Sequence, residues 1–230
     1  MVNNQLVQLL KAGVHFGHKA NYLNPKMIPY IFAEKNGRHI LDLIQTSFLL
    51  NEACIFVKKA AQQQKSILFI GTSSKISKII AQEAIKSNSF YICHRWLGGL
   101  LTNWKTVKTR IERLKLLEKQ EENGNFNLLP KKEAAIIKKE LKKLKIYFNG
   151  IKDMQNIPDI IIIINPEQDL TAIKESINLN LPIISIIDSN CDPDLVTFPI
   201  PGNNDSILSV KLILSELSKN ILDGRLEKEN

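Results

Sequence analysis

A chain of 230 residues with 44% hydrophobic content can bury a core without disulfides, as one large domain or as one domain carrying an insertion. Three scattered cysteines, Cys54, Cys93 and Cys191, with no CxxC pair, exclude paired-cysteine zinc and point to a reducing compartment, and no apolar run reaches the roughly 18 residues of a membrane span. The formal net charge of +8 suits a polyanionic partner, and its placement says more: across 105–149 stand 13 Lys or Arg against six Asp or Glu, so nearly the whole excess lies in one segment.

The opening MVNNQLVQLLKAG has neither the apolar core of a secretory leader nor the Arg- and Ser-rich character of an import peptide, so no cleavage is expected. Asn3 or Asn4 is expected to cap a first helix that carries Leu6, Leu9 and Leu10 on one face and ends at Gly13. Residues 30–33 and 38–43 read as the strands of a hairpin, turned within 34–37 by Asn36-Gly37. In 47–64 the apolar positions Leu49, Ala53, Phe56, Val57 and Ala60 recur at helical spacing. Strand 67–70, helix 74–87 and strand 90–93 follow, and the same alternation resumes with strand 160–164, helix 169–178 and strand 183–187. Isoleucine runs without polar alternation predict parallel strands covered on both faces by helices. A last helix starts at Ser206, places Ile207, Val210, Leu214, Leu217 and Ile221 on one stripe, and stops before Gly224.

Segment 102–149 breaks this alternation. Val107, Ile111, Leu114 and Leu117 make one apolar stripe, and Ala134, Ile137, Leu141, Leu144 and Phe148 make another, with a loop at 123–129 and Pro130 suited to a helix start. The pattern predicts an antiparallel helical hairpin, 102–149, inserted in an α/β body formed by 1–101 and 150–230.

The carboxyl ends of the strands are where parallel α/β folds place ligands and where enzyme chemistry would lie. Gly71, Thr72, Ser73, Ser74 and Lys75 match neither GxGxxG nor GxxxxGKS and read as a strand-to-helix turn with a serine cap. Asp188, Asp192, Asp194 and Asp205, with His15 and His18, are the residues from which a divalent metal site would be built. Their Asp-Pro and Pro-Gly context and loose spacing favour turn formation instead. Cys93 and His94 are neighbours on a strand and point to opposite faces, which argues against a catalytic pair. No catalytic residue, cofactor or metal is assigned.

The run from His94 through Arg95, Trp96, Gly98, Gly99 and Trp104 to Lys105 differs in kind. Arginine and tryptophan suit phosphate contact and base stacking, and Gly98-Gly99 permits close backbone approach, although burial is the commoner fate of at least one indole. The hairpin adds Lys108, Arg110, Arg113, Lys115, Lys138, Lys139, Lys142, Lys143 and Lys145. Lys131 and Lys132 stand in a first helical turn, where the helix dipole disfavours cations and an external phosphate would relieve the mismatch.

Four stretches, AGVHFGH from Ala12, NPKMIPYIF from Asn24, RWLGGLLTNW from Arg95 and NCDPDLVTFPIPGNND from Asn190, closely resemble the bacterial and plastid family of small-subunit ribosomal protein two, over nearly the whole chain. The resemblance implies a flavodoxin-like three-layer α/β/α body with a parallel sheet and a protruding coiled-coil hairpin. It implies a structural constituent of the small ribosomal subunit, contacting its rRNA and neighbouring ribosomal proteins, among them the mRNA-binding protein numbered one. By this likeness His15, Phe16 and His18, the turn with Asn24 and Lys26, and the segment from Arg95 to Lys105 are further places for RNA or protein contact. The chain departs from the family at Ser73 and Ser74, where basic residues are usual, at Leu23 in place of a tryptophan, and at Leu208 in place of an arginine. Composition and likeness favour a plastid ribosome over a bacterial cytoplasm, with no membrane partner and no free homo-oligomer. The alternatives are a Rossmann-like enzyme binding a phosphorylated ligand at the Gly71 turn and the Asp188 loop, and a scaffold whose hairpin binds only proteins.

Overall fold

The computed structural model describes residues 2–128 and 130–229. In chain order the regular elements are α1 (Val2–Lys11), β1 (Phe16–Lys19), β2 (Ile31–Lys35), β3 (Arg38–Leu41), α2 (Leu43–Gln62), β4 (Ile67–Ile70), α3 (Ser77–Lys86) and β5 (Phe90–Ile92). Then come α4 (Trp104–Glu122), α5 (Lys131–Phe148), β6 (Ile160–Ile163), α6 (Leu170–Asn178), β7 (Ile183–Ile187), β8 (Phe198–Pro201) and α7 (Ile207–Glu229).

The isoleucine runs form the centre of a five-stranded parallel sheet in the order β5-β4-β6-β7-β8. Because side chains alternate along a strand, each run feeds two cores. Ile67, Phe69, Ile160, Ile162, Ile184 and Ile186 pack with α2, α3 and α7 on one face. Leu68, Ile70, Ile161, Ile163 and Ile183 pack with α6, the 96–101 turn and the foot of the hairpin on the other. Both faces being covered, the strands carry no polar alternation, as the parallel-sheet reading requires. This is the flavodoxin-like strand order, with the switch point between β4 and β6.

Four local expectations are corrected. The first helix already runs through Asn3 and Asn4, so neither is its cap, while at its other end Gly13 stops it as expected, with a φ of +70° and the Val14 N–H donating to the Leu9 carbonyl. Phe16–Lys19, for which the sequence predicts no element, is a strand on β3, and with β2 it completes a small antiparallel sheet. Its turn uses two residues, Asn36 (φ 54°) and Gly37 (φ 69°), in the left-handed region that such tight hairpins need. Phe198–Pro201, for which the sequence predicts no strand, is the fifth strand: Pro199 and Pro201 are tolerated because it is an edge strand, paired among the described residues with β7. Finally, α7 continues through Gly224. A Cβ there would lie 2.4 Å from the Lys58 carbonyl oxygen and 3.0 Å from Ala61 Cβ, so this glycine serves close packing of α7 on α2.

The inserted segment is a pair of helices. Val107, Ile111, Leu114 and Leu117 of α4 are buried with Leu141, Leu144 and Phe148 of α5, and Phe126 closes the tip from a short 3-10 turn, Asn125–Leu128. The same apolar cluster continues into the body through Trp96, Leu100 and Leu101, which fixes the root of the hairpin.

Candidate nucleic-acid interface

The joint between sheet and hairpin is organised by one carboxylate. Beyond β5 the chain must turn sharply before α4, and its backbone N–H groups there have no strand partner. Glu175, projecting from α6 and only 7% exposed, collects them. Its Oε1 accepts from the Trp96 indole N–H (3.0 Å) and the Gly99 N–H (2.8 Å). Its Oε2 accepts from the N–H groups of Leu101 (3.0 Å) and Thr102 (3.2 Å) and from the Thr102 hydroxyl (3.3 Å). Burial alone would raise this carboxyl's pKa, but the donors from Trp96, Gly99, Leu101 and Thr102 outweigh it and hold the pKa below the usual range. Sequence reasoning missed Glu175. The available signal was a charged residue on the stripe formed by Ala172, Glu175 and Leu179 at helical spacing.

This arrangement corrects the reading of Trp96. Its indole is only 7% exposed and its N–H is engaged by Glu175, so it packs into the joint rather than standing open as a stacking platform. Trp104 is half-buried, its indole N–H donating to the Gln155 carbonyl at 3.3 Å. Arg95 and Lys105 on either side are exposed.

Along the hairpin, acids pair across the two helices rather than along one. Arg113 makes a two-point contact with Glu140, Nε to Oε1 at 3.2 Å and Nη2 to Oε2 at 3.1 Å, which raises the arginine pKa and lowers that of Glu140. Lys145 meets Glu121 at 2.9 Å, Lys152 pairs with Glu118, and Lys115 meets Asp153 at 3.3 Å. These pairs staple the hairpin and spend the charge of Arg113, which sequence reasoning had given to RNA. Lys105, Lys108, Arg110, Lys131, Lys132, Lys138 and Lys142 are exposed, and among the described residues none has an acid at ion-pair distance, although the charge of Arg110 reaches Glu140. Lys131, Lys138 and Lys142, spaced seven and four apart, share one stripe of α5.

The N-terminal candidates sit elsewhere, across the carboxyl end of the parallel sheet. Here the folding does bring His18 to Asp188 and Asp205, with Nδ1 at 2.8 Å from Asp188 Oδ2 and Nε2 at 3.5 Å from Asp205 Oδ2. The His18 backbone N–H also donates to Asp188 Oδ1 at 3.0 Å and Ser189 Oγ at 3.1 Å. The hydrogen bond to Asp188 raises the His18 pKa; burial opposes it, and the charges of Asp188, Asp205 and Glu167 add to it. His15 lies against Phe16, ring centroids 4.0 Å apart, and burial lowers its pKa. Asn24 accepts from the Lys26 N–H at 3.1 Å, and Lys26 Nζ reaches Asp192 and Asp194, each at 2.8 Å. The charges of His18 and Lys26 thus tie the N-terminal segment to the 188–194 loop. Of the N-terminal candidates Phe16, 44% exposed, and Lys26 are the exposed ones. Among the described residues no group of three or more His, Cys, Asp or Glu is arranged to hold a metal ion.

The same segment is tied to the carboxyl ends of β7 and β8: the Asn24 N–H donates to the Ser189 carbonyl and the Asn203 N–H to the Val14 carbonyl. At the Gly71 turn, the Thr72 N–H points at Asp169 Oδ2 (3.4 Å), and a buried carboxylate there opposes a phosphate. Cys93 is buried, with its thiol pushed up to about 12, while its neighbour His94 is exposed.

The fold defines a flavodoxin-like α/β protein that carries a basic pair of helices beside its parallel sheet. The chain belongs to the ribosomal protein S2 family, whose model matches residues 9–224. It is 55% identical over 225 residues to the small ribosomal subunit protein uS2c of Phaeodactylum tricornutum, covering 98% of this chain and 100% of the relative. With uS2c of Galdieria sulphuraria it shares 54% identity over 224 residues, 97% and 95% of the two chains. With uS2 of Acaryochloris marina it shares 52% over 220 residues, 96% of this chain and 74% of the other.

Proposed function

We propose that this chain, a structural constituent of the small subunit of the plastid ribosome, holds rRNA through the outward faces of its hairpin and catalyses no reaction. Family membership supports the ribosomal role, and the uS2c designation of the relatives supports the plastid location. The observation that carries the RNA reading is the division of labour among the cations: Arg113, Lys115 and Lys145 are neutralised within the fold, while Lys105, Lys108, Arg110, Lys131, Lys132, Lys138 and Lys142 are left outward and unpaired among the described residues. Like charges so crowded cost free energy unless a polyanion releases them. The contacts are positional, to phosphate and shape, rather than sequence-reading. On this reading 102–149 is an inserted unit carried by a body made of 1–101 and 150–230, and Phe16 with His15 marks a second surface for neighbouring ribosomal proteins.

The test is salt titration of rRNA-fragment binding with Lys108→Glu, Lys138→Glu and Lys142→Glu combined. Each phosphate contact removed lowers the slope of log affinity against log salt by about 0.7–0.9. An unchanged slope and affinity would refute the assignment.

A further inference from the structure

A cleft of about 710 Å³ lies at the foot of the hairpin, between the turn carrying Arg95, Gly98 and Gly99 and the facing helices α4 and α5. Sites for small ligands run from roughly 300 to 1,000 Å³, so it is roomy enough for one nucleotide. Its walls combine two chemistries. Arg95, Arg110 and Lys143 are exposed, and among the described residues they have no acidic partner at ion-pair distance. The one acid of the lining, Glu140, is taken up by Arg113. Between the cations lie Tyr147, half-buried, and the apolar surface of Leu97, Leu144 and Phe148.

Gly98 supplies an independent observation. It has no left-handed φ, and a Cβ built on it meets nothing within 4 Å. The fold therefore makes no use of a glycine there, while the missing side chain leaves the mouth of the cleft open. A flat, open backbone beside a ring and three cations suits a planar group bearing a phosphate. An acidic peptide would satisfy the cations but would have to press carboxylates against the apolar wall, at a desolvation cost.

We propose that this cleft receives one unpaired nucleotide of rRNA, its base against Tyr147 and its phosphate among Arg95, Arg110 and Lys143. The proposal rests on the RNA-binding role of the hairpin and adds a single-strand site to it, because a base held in a duplex is not splayed out to enter. Gly98→Val adds bulk at the mouth, where a Cβ meets nothing within 4 Å, and Tyr147→Leu removes the ring while keeping apolar bulk.

Binding of a short oligouridylate and of a short RNA duplex to the full-length protein is followed by fluorescence anisotropy. Both variants are expected to keep the wild-type melting temperature and to lose about tenfold in oligouridylate affinity, with duplex affinity changed by less than about twofold. The combined Lys108→Glu, Lys138→Glu and Lys142→Glu variant is expected to weaken both ligands. If the two cleft variants bind oligouridylate like wild type while the lysine variant does not, the cleft proposal is overturned and the hairpin reading stands. If wild type binds neither RNA, both fall. A polyglutamate peptide that binds in a Gly98-dependent way while oligouridylate does not would overturn the nucleotide in favour of an acidic peptide.

Discussion

Replacing Glu175 by glutamine tests whether a single carboxylate organises the joint. The change keeps size and shape and alters only hydrogen-bonding capacity, since one oxygen becomes an NH2 group that can only donate. Whichever way the amide turns, that NH2 faces donors: the Trp96 indole and Gly99 N–H on one side, the Leu101 and Thr102 N–H groups on the other. Two donors at a buried joint lose their acceptor, each costing about 1–3 kcal/mol. With local relaxation the expected loss is about 2–4 kcal/mol, which for a chain of this length is a fall in Tm of about 5–15 °C. The carboxyl's folded pKa is depressed, so its contribution is complete above the unfolded value near about 4.3 and disappears as pH falls through the folded one. The gap between wild type and Glu175→Gln should therefore close below about pH 4, followed by thermal unfolding across a pH series. A Tm within about 2 °C of wild type at neutral pH would show that the joint does not depend on this carboxylate.

His18 gives a pH dependence of opposite sign. Its folded pKa lies above the ordinary 6.5, so it contributes stability that is complete below that value and is lost as pH rises through the folded pKa. Urea unfolding should find His18→Gln more destabilised relative to wild type at pH 6 than at pH 8; His15, whose pKa burial lowers, titrates identically in both proteins and cancels in the comparison. On the hairpin, Leu114 is fully buried, and Leu114→Ala should lower the unfolding free energy by about 2–5 kcal/mol, read from the urea midpoint. A loss below about 0.5 kcal/mol would mean that the α4–α5 seam is not a packed core.

Elements whose pattern is local were legible in the sequence. The isoleucine runs specify a doubly covered parallel sheet because burial on both faces removes polar alternation, and Asn36-Gly37 specifies its tight turn because both residues tolerate positive φ. The two apolar stripes of 102–149 specify a helical pair for the same local reason. What escaped depends on distant partners. Pro199 and Pro201 hid an edge strand that only pairing with β7 defines. The basic residues were visible as a cluster, but which of them are neutralised depends on acids such as Glu140, 27 positions from Arg113, and Asp188, 170 positions from His18. Trp96 looked like a stacking platform because its motif is rich in arginine and glycine, whereas its surroundings, Glu175 above all, make it a plug. Tyr147 drew no notice in the sequence, since a tyrosine near the end of an apolar helical stripe is indistinguishable from core until the cleft beside it is seen.

The account stands most directly on where the protein travels in a cell extract. Tagged wild-type chain should sediment in a sucrose gradient with the small ribosomal subunit at low salt, and the combined Lys108→Glu, Lys138→Glu and Lys142→Glu variant should shift toward the free fraction at a lower salt concentration than wild type. Wild-type protein found only at the top of the gradient, or a triple variant that stays with the subunit as firmly as wild type, would contradict it.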